Sequence, residues 1–246
     1  MGENGETAGA PGTPAAGGLA ILHEDAHLVA VDKPAGRLVI PGRGAVERTL
    51  REEAEARYGR IWVVHRLDRG TSGVLILART AEAHRTLNLA FDRQEVSKRY
   101  LALVRGAPEM EMRVNVPIAP ARRGRMRPAR PGDDRGKLAS TYFRLLETFP
   151  AHAGLPVLSL VEAWPETGRT HQIRVHLAHA GFPLAVDPDY GDPGPLLDGE
   201  GRPLLARTPL HAARLELAHP ATGRPLVIVA PLPEDVERVL DAVRGS

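Results

Sequence analysis

The chain has 246 residues, of which 43% are apolar, and its formal net charge is +2. This length and apolar content suffice for one large domain or two small ones with a buried core. The lack of cysteine excludes disulfides, thiolate metal ligands and cysteine nucleophiles. No apolar run is long enough to span a bilayer, and the first residues do not resemble a signal peptide, so we expect a cytoplasmic protein.

The beginning of the chain differs in composition from the rest. Residues 1–18 are mostly Gly, Pro, Ala, Thr and Glu without apolar periodicity, which predicts a disordered tail. From Leu19 onward, short apolar runs alternate with turn residues. The strands predicted from these runs cover residues 28–31, 61–64, 73–77, 100–104, 140–147, 157–162, 211–217 and 226–230.

Helices are fewer than strands. Apolar and alanine positions at helical spacing predict a helix over 46–58 that ends at Gly59, and Thr80 is a suitable N-cap for a second helix. A last helix is predicted over 234–243. Many strands, few helices and no repeating strand-helix period indicate an α+β fold with a mixed, mainly antiparallel sheet and flanking helices, in one domain over residues 19–246.

Residues 121–137 form an unusually basic segment. Glycines and prolines in this segment would interrupt a helix, so we predict a mobile basic loop. Its basic residues are Arg122, Arg123, Arg125, Arg127, Arg130, Arg135 and Lys137. Binding of phosphate groups by Arg122, Arg123 and Arg125 is one interpretation, and an ordinary solvated run of charge is the other.

The most informative segment is His65–Ser72, between two strand-like runs. Charged and hydroxyl side chains crowd this loop, and its glycine permits sharp backbone angles, as in a functional site. An ordinary turn, in which Asp68 caps backbone amides and Arg66 is solvated, has the same composition. Composition alone leaves both interpretations open.

The run from His65 to Gly73, HRLDRGTSG, resembles the signature of the RluA family of RNA pseudouridine synthases. Other segments resemble further family motifs in the same order: VDKPAG at 31–36, KRY at 98–100, GRTHQIRVH at 168–176 followed by Asp187 and Tyr190-Gly191, and LHA at 210–212. The chain departs from the family pattern at Asp32, where asparagine is usual, and at Val186, where glycine is usual. The resemblance implies the pseudouridine synthase fold and isomerisation of uridines in ribosomal or transfer RNA.

The resemblance also implies roles for individual residues. Asp68 matches the catalytic carboxylate near ribose C1′, and Arg174 matches the arginine that keeps it ionised and aimed. Tyr100 matches the tyrosine that stacks on uracil and is a proposed general base for proton removal. Without the resemblance, Tyr100 would simply be an aromatic residue of a β-strand. Arg66 matches a residue that enters the space left by the flipped base. Ile173 would line the base pocket, although an apolar residue there also suits the core.

Three other loop residues are candidate substrate contacts. His65 could orient the loop by hydrogen bonding, which we prefer, or contact RNA. Arg69 and Thr71 could hold the loop or touch RNA. The isomerisation is redox-neutral, so we expect no cofactor, and Arg169, His171 and His176 lack the carboxylate or thiolate partners of a metal site, so we expect no metal.

Three other functions would use some of the same residues. A protein kinase is excluded because Asp68 does not directly follow Arg66 and no Asp-Phe-Gly follows. A metal-dependent hydrolase would lose activity with a chelator. A non-catalytic RNA-binding or ribosome-assembly factor of the same fold is the main rival, although it would not need Asp68, Tyr100 and Arg174 together. RNA is the expected partner, and a monomer is the default.

Overall fold

The computed structural model describes residues 18–42, 46–152 and 154–245, so the predicted tail lies almost wholly outside the described residues. A ten-stranded sheet forms the centre of the described chain, with the path β1-β2-β4-β13-β5-β10-β9-β6. β14 pairs with β13 and β3 with β4, outside this path. Only β4 and β13 pair in parallel among these strands, so the predicted mixed, mainly antiparallel sheet is confirmed.

The elements have the following bounds. The strands are β1 (Ala20–Glu24), β2 (Leu28–Lys33), β3 (Trp62–Val63), β4 (Ser72–Ala78), β5 (Ser97–Arg105), β6 (Glu111–Val114), β7 (Ile118–Pro120), β8 (Met126–Pro128), β9 (Thr141–Phe149), β10 (Leu158–Pro165), β11 (Leu196–Leu197), β12 (Pro203–Leu205), β13 (Leu210–Ala218) and β14 (Pro225–Val229). The helices are α1 (Leu50–Tyr58), α2 (Ala81–Asp92), α3 (Gln172–His179) and α4 (Glu234–Arg244).

Helices cover both faces of the sheet. Successive strand residues point to opposite faces, so the buried strands contribute to two cores. α1 and α3 pack on one face, where their apolar residues meet those of β2, β4, β5 and β10. α2 and α4 pack on the other face. Tyr100 lies where the α1 and α3 clusters meet and Ile173 packs in the α3 cluster, so these two predicted site residues lie on the face covered by α1 and α3.

Two predicted boundaries differ from the structure. The first helix begins at Leu50 rather than at residue 46, because Thr49 and Glu52 form a reciprocal capping box that ends the preceding loop. The basic segment is not simply a loop, because β7 and β8 pair in a small hairpin around the left-handed Arg123 and Gly124. None of the helices in the described residues is long and apolar enough to cross a membrane.

Gly73 brings the two parallel strands unusually close together. Its φ is +109°, and a Cβ atom at this position would lie 2.3 Å from the carbonyl oxygen of Ala212. Any side chain would therefore overlap the backbone of β13. This explains why the glycine follows Ser72 at the start of β4, next to the loop that carries Asp68.

Candidate active site

A fully buried lysine supports the loop that carries Asp68. The Nζ of Lys33, at the end of β2, donates to the carbonyl oxygens of Thr71 at 2.7 Å, Pro34 at 3.0 Å and Arg69 at 3.1 Å. Burial lowers the pKa of Lys33 to about 7, while the charge of Asp68 acts in the opposite direction. Three carbonyl acceptors match the three donors of the ammonium form, so Lys33 fixes the loop through its backbone carbonyls.

The backbone of the loop is also paired with the turn after β2. The N–H of Gly36 donates to the Arg69 carbonyl at 2.7 Å, and the Nε of Arg69 donates to the Gly36 carbonyl at 2.9 Å. Thr71 is 2% exposed, and its N–H donates to the Asp68 carbonyl. These contacts show how Arg69 and Thr71 hold the loop, and contact of either residue with RNA stays a prediction.

Asp68 projects from this loop toward α3. Its Oδ2 lies 3.7 Å from Nη1 of Arg174, and about a third of its side chain is exposed. The structure therefore brings the predicted carboxylate and its predicted arginine together. Arg174 is a buried residue and not a surface arginine of α3, because its side chain is only 7% exposed.

Arg174 is held by two further carboxylates. Its Nε and Nη2 bind both oxygens of Asp187 at 2.9 and 2.6 Å, and Nη2 also donates to Asp189 at 2.8 Å. Its guanidinium lies over the Tyr190 ring, 4.9 Å from the centroid. Burial acts to lower the pKa of Arg174, but these carboxylates outweigh it and raise the pKa above its ordinary value. Arg174 is thus a permanent cation that faces Asp68 in a fixed orientation.

Tyr100 and Ile173 lie on either side of the contact between α3 and the sheet. Tyr100 is half-buried on β5, and burial together with the charge of Asp68 raises the pKa of its hydroxyl. Ile173 is 6% exposed and packs in the core cluster that also contacts Tyr100. The structure therefore brings Asp68, Tyr100 and Arg174 together, and it gives Ile173 a core environment.

His65 makes its contacts with β4 and α2. Its Nε2 accepts a hydrogen bond from the N–H of Ile76 at 3.0 Å, and its ring stacks on Phe91 of α2 at 4.8 Å. Burial lowers the pKa of His65 to about 4, so the ring is neutral at neutral pH. Ile76 lies between the stretches of β4 that pair with β3 and β13, and the imidazole satisfies its N–H there. These contacts support the orienting role over contact with RNA.

The predicted RNA contacts differ in their surroundings. Arg66 is exposed beside an open groove lined by Ile61 and Trp62. Arg122 and Arg123 are exposed in the turn between β7 and β8. Arg125 instead donates from Nε to Asp189 at 2.9 Å, so it belongs to the network around Arg174 as well as to the surface.

Comparison with known proteins identifies the family. Residues 27–179 match the family described as RNA pseudouridylate synthase. The chain is 41% identical to "Ribosomal large subunit pseudouridine synthase D" of Xanthomonas campestris, over 92% of this chain and 70% of that protein. It is 42% identical to the protein of the same name from Xylella fastidiosa, again over 92% of this chain and 70% of that protein.

A solved structure supports the same conclusion. "Human RNA Pseudouridylate Synthase Domain Containing 4" superposes with a TM-score of 0.70 at 28% identity, over 91% of this chain and 92% of that chain. The chain belongs to the RNA pseudouridylate synthase family. The predicted fold and the predicted enzyme class, an isomerase of uridine in RNA, are confirmed, and no comparison favours the non-catalytic alternative.

Several residues of this synthase were not predicted as site residues. Lys33, Asp187 and Tyr190 lie in or near the family-like segments, but their contacts could not be read from the sequence. His171 was considered only as a metal ligand, yet it lies 3.8 Å from Asp68 Oδ2 and 2.8 Å from the Tyr190 hydroxyl. Its φ of +56°, rare for a residue with a side chain, is the structural signal that sets it apart.

Two further buried histidines of the synthase have structural partners. His176 bonds to Thr141 Oγ1 at 2.8 Å and to the Val116 carbonyl at 2.9 Å, so both ring nitrogens are engaged. His211 is buried on β13, where it bonds to Ser72 Oγ at 3.0 Å, and burial lowers its pKa to about 4. Within the described ranges, no cluster of histidine and acidic residues has the arrangement of a metal site.

Proposed function

We propose that Asp68 is the catalytic carboxylate of this synthase and acts at ribose C1′ of a uridine that has left its helix. The observation that supports this most strongly is its position. Asp68 is partly exposed in the middle of a loop fixed by Lys33, and it faces the buried cation of Arg174. A carboxylate held in this way can attack C1′ or stabilise the positive charge that develops there as the bond to N1 breaks.

The chemistry of Tyr100 favours one of its two candidate roles. Burial and the neighbouring Asp68 both raise the pKa of its hydroxyl, so the phenol stays protonated at neutral pH. A group that remains protonated is a poor base, whereas its ring can still stack on the uracil. We therefore assign Tyr100 to base stacking beside Asp68.

RNA binding is assigned to exposed arginines around this centre. Arg66, two residues before Asp68 in the same loop, is proposed to enter the stack after the uridine flips out. Arg122 and Arg123 are proposed to bind phosphates, with Arg125 contributing at the edge of the site. His65, Thr71 and Ile173 support the loop and the base pocket from within, and Arg69 supports the loop from its exposed surface.

The substrate proposed for the enzyme is ribosomal RNA of the large subunit. This proposal rests on the names of its relatives, "Ribosomal large subunit pseudouridine synthase D". Mapping pseudouridine in total RNA from cells with and without the gene tests it. We expect at least one site to disappear from large-subunit RNA, and a loss confined to transfer RNA would contradict the assignment.

Tritium release tests the role of Asp68. RNA labelled with tritium at uracil C5 releases the label to water when C5 forms its bond to ribose C1′, and N1, freed from C1′, takes up a proton. We expect Asp68→Asn to abolish release while it leaves RNA affinity largely unchanged, because asparagine keeps the shape and loses the charge. A chelator serves as the control for the hydrolase alternative, and we expect it to have no effect. Normal release by Asp68→Asn would refute the assignment.

We further propose that the enzyme acts as a cytoplasmic monomer. The location follows from the proposed ribosomal RNA substrate, and cell fractionation tests it. A single copy is the default oligomeric state, as expected from the sequence. Light scattering on the purified protein tests the second statement, and a stable dimer would contradict it.

A further inference from the structure

His171 lies between Asp68 and Tyr190, at the N-terminus of α3. Its Nε2 is 3.8 Å from Asp68 Oδ2, and its Nδ1 is 2.8 Å from the Tyr190 hydroxyl. That hydroxyl also accepts a hydrogen bond from the N–H of Met126 at 2.8 Å. A continuous series of polar groups therefore extends from β8 through Tyr190 and His171 to Asp68.

The directions of the hydrogen bonds in this series follow from the available protons. Because the Tyr190 oxygen accepts from Met126, its own proton is free to point at His171 Nδ1. Nδ1 then acts as the acceptor, and Nε2 carries the ring proton. The opposite tautomer would leave the Tyr190 proton without an acceptor among the residues that the structure describes, and it would direct the Nε2 lone pair at the Asp68 carboxylate.

We propose that His171 is a positioning residue for catalysis, which donates from Nε2 to Asp68 and has its tautomer set by Tyr190. The distance of 3.8 Å is longer than a hydrogen bond, and such contacts often shorten when substrate closes a site. The donated hydrogen bond would orient one carboxylate oxygen while Arg174 supplies the charge. The inference rests on the proposed role of Asp68.

The charges around His171 agree with a neutral ring. Burial lowers its pKa, Asp68 acts to raise it, and Arg174 acts to lower it again. The carboxylates of Asp187 and Asp189 also act to raise the pKa, but both bind Arg174 directly. The net direction is downward, so the imidazole is neutral at neutral pH and has a single ring proton to donate.

Nitrogen NMR of histidine-labelled protein tests the tautomer independently of activity. The signal of His171 is assigned by its absence from His171→Gln. We expect Nε2 to be protonated and Nδ1 unprotonated in the wild type. In Tyr190→Phe, which keeps the ring over Arg174 but removes the hydroxyl, we expect both tautomers. A wild-type ring protonated at Nδ1 alone would overturn the proposal.

Kinetics of a matched pair of variants test the donated hydrogen bond. Glutamine and leucine at position 171 meet the same left-handed backbone, but only glutamine keeps an N–H donor at the end of its side chain. At saturating RNA we expect His171→Leu to lower kcat about 10-fold to 100-fold, and His171→Gln to recover most of this loss. RNA affinity and thermal stability are expected to be similar in the two variants. Equal losses of kcat would refute the role.

A double variant tests whether Tyr190 acts on Asp68 through His171. We expect Tyr190→Phe to lower kcat in the wild-type background and to have little additional effect in His171→Leu, because the tautomer then no longer matters. Additive losses would show that Tyr190 acts through Arg174 instead and would overturn its assigned role. Asp68→Asn separates this inference from the proposed function, because full activity of that variant contradicts the role of Asp68 whatever the His171 variants do.

Discussion

The two sides of Asp68 are built in different ways. On one side, Lys33 and Gly73 fix the loop through backbone carbonyls and close strand packing. On the other side, Arg174 and its carboxylate partners form a network of side chains that ends at the exposed Arg125. Substitutions on the side of Lys33 and Gly73 should therefore destabilise the fold. Substitutions on the side of Arg174 should lower activity in a protein that remains folded.

The largest effect is expected from Gly73→Ala. The added methyl would lie 2.3 Å from the Ala212 carbonyl oxygen at a φ of +109°, so β4 and β13 would have to separate. We expect a loss of more than about 4 kcal/mol in the free energy of unfolding, measured by urea denaturation.

Gly223→Ala is the matched control for this substitution. Gly223 also has a positive φ, of +69°, but no atom of the described residues lies within 4 Å of a Cβ placed there. Only the backbone strain remains, so we expect a loss of about 1–2 kcal/mol. Equal losses in the two variants would mean that strand contact at Gly73 contributes nothing.

Lys33→Met is expected to have the next largest effect. Methionine fills a similar volume but removes the Lys33 donor from the carbonyls of Pro34, Arg69 and Thr71, of which only Arg69 is known to keep another donor, the N–H of Gly36. We expect a loss of about 2–4 kcal/mol in the free energy of unfolding. Tritium release should also fall, because Asp68 loses its support. A stable variant without activity would contradict the assignment of Lys33 to the structural side.

The pH dependence of stability gives a second test of Lys33. Its pKa in the folded protein is about 7, below the value of about 10.4 for an unfolded lysine. Between these values the unfolded chain binds more protons than the folded chain, so this group makes stability rise as the pH increases. The rise should be smaller in Lys33→Met, and parallel stability curves for the two proteins would contradict the lowered pKa.

What the sequence predicted and what it did not are separated by contiguity in the chain and not by the side of Asp68, because Arg174 was predicted and Lys33 was not. The Asp68 loop and its flanking strands are contiguous in the chain, so composition and motif resemblance located them. Asp187 contacts Arg174 across 13 residues, and Tyr190 contacts Met126 across 64. Such contacts depend on tertiary folding, which no local pattern encodes. The β7–β8 hairpin was missed because charge dominates its composition, whereas the left-handed turn at Arg123 and Gly124 determines its backbone.

The smallest expected effects concern two arginines, Arg123 and Arg125. They test where the side-chain network around Arg174 ends and the RNA-binding surface begins. Arg125 pairs with Asp189, which binds Arg174, whereas the exposed Arg123 side chain has no hydrogen bond or ion pair with any residue that the structure describes. We expect Arg123→Gln to weaken RNA binding and to reduce its salt dependence by about one phosphate contact, without a change in kcat. We expect Arg125→Gln also to lower kcat at saturating RNA, by up to about 5-fold, because a partly exposed ion pair contributes about 1 kcal/mol or less.

Filter binding over a series of salt concentrations and tritium release at saturating RNA measure the two effects separately. If both variants changed affinity alone, the network would end at Asp189 and Arg125 would belong only to the RNA-binding surface.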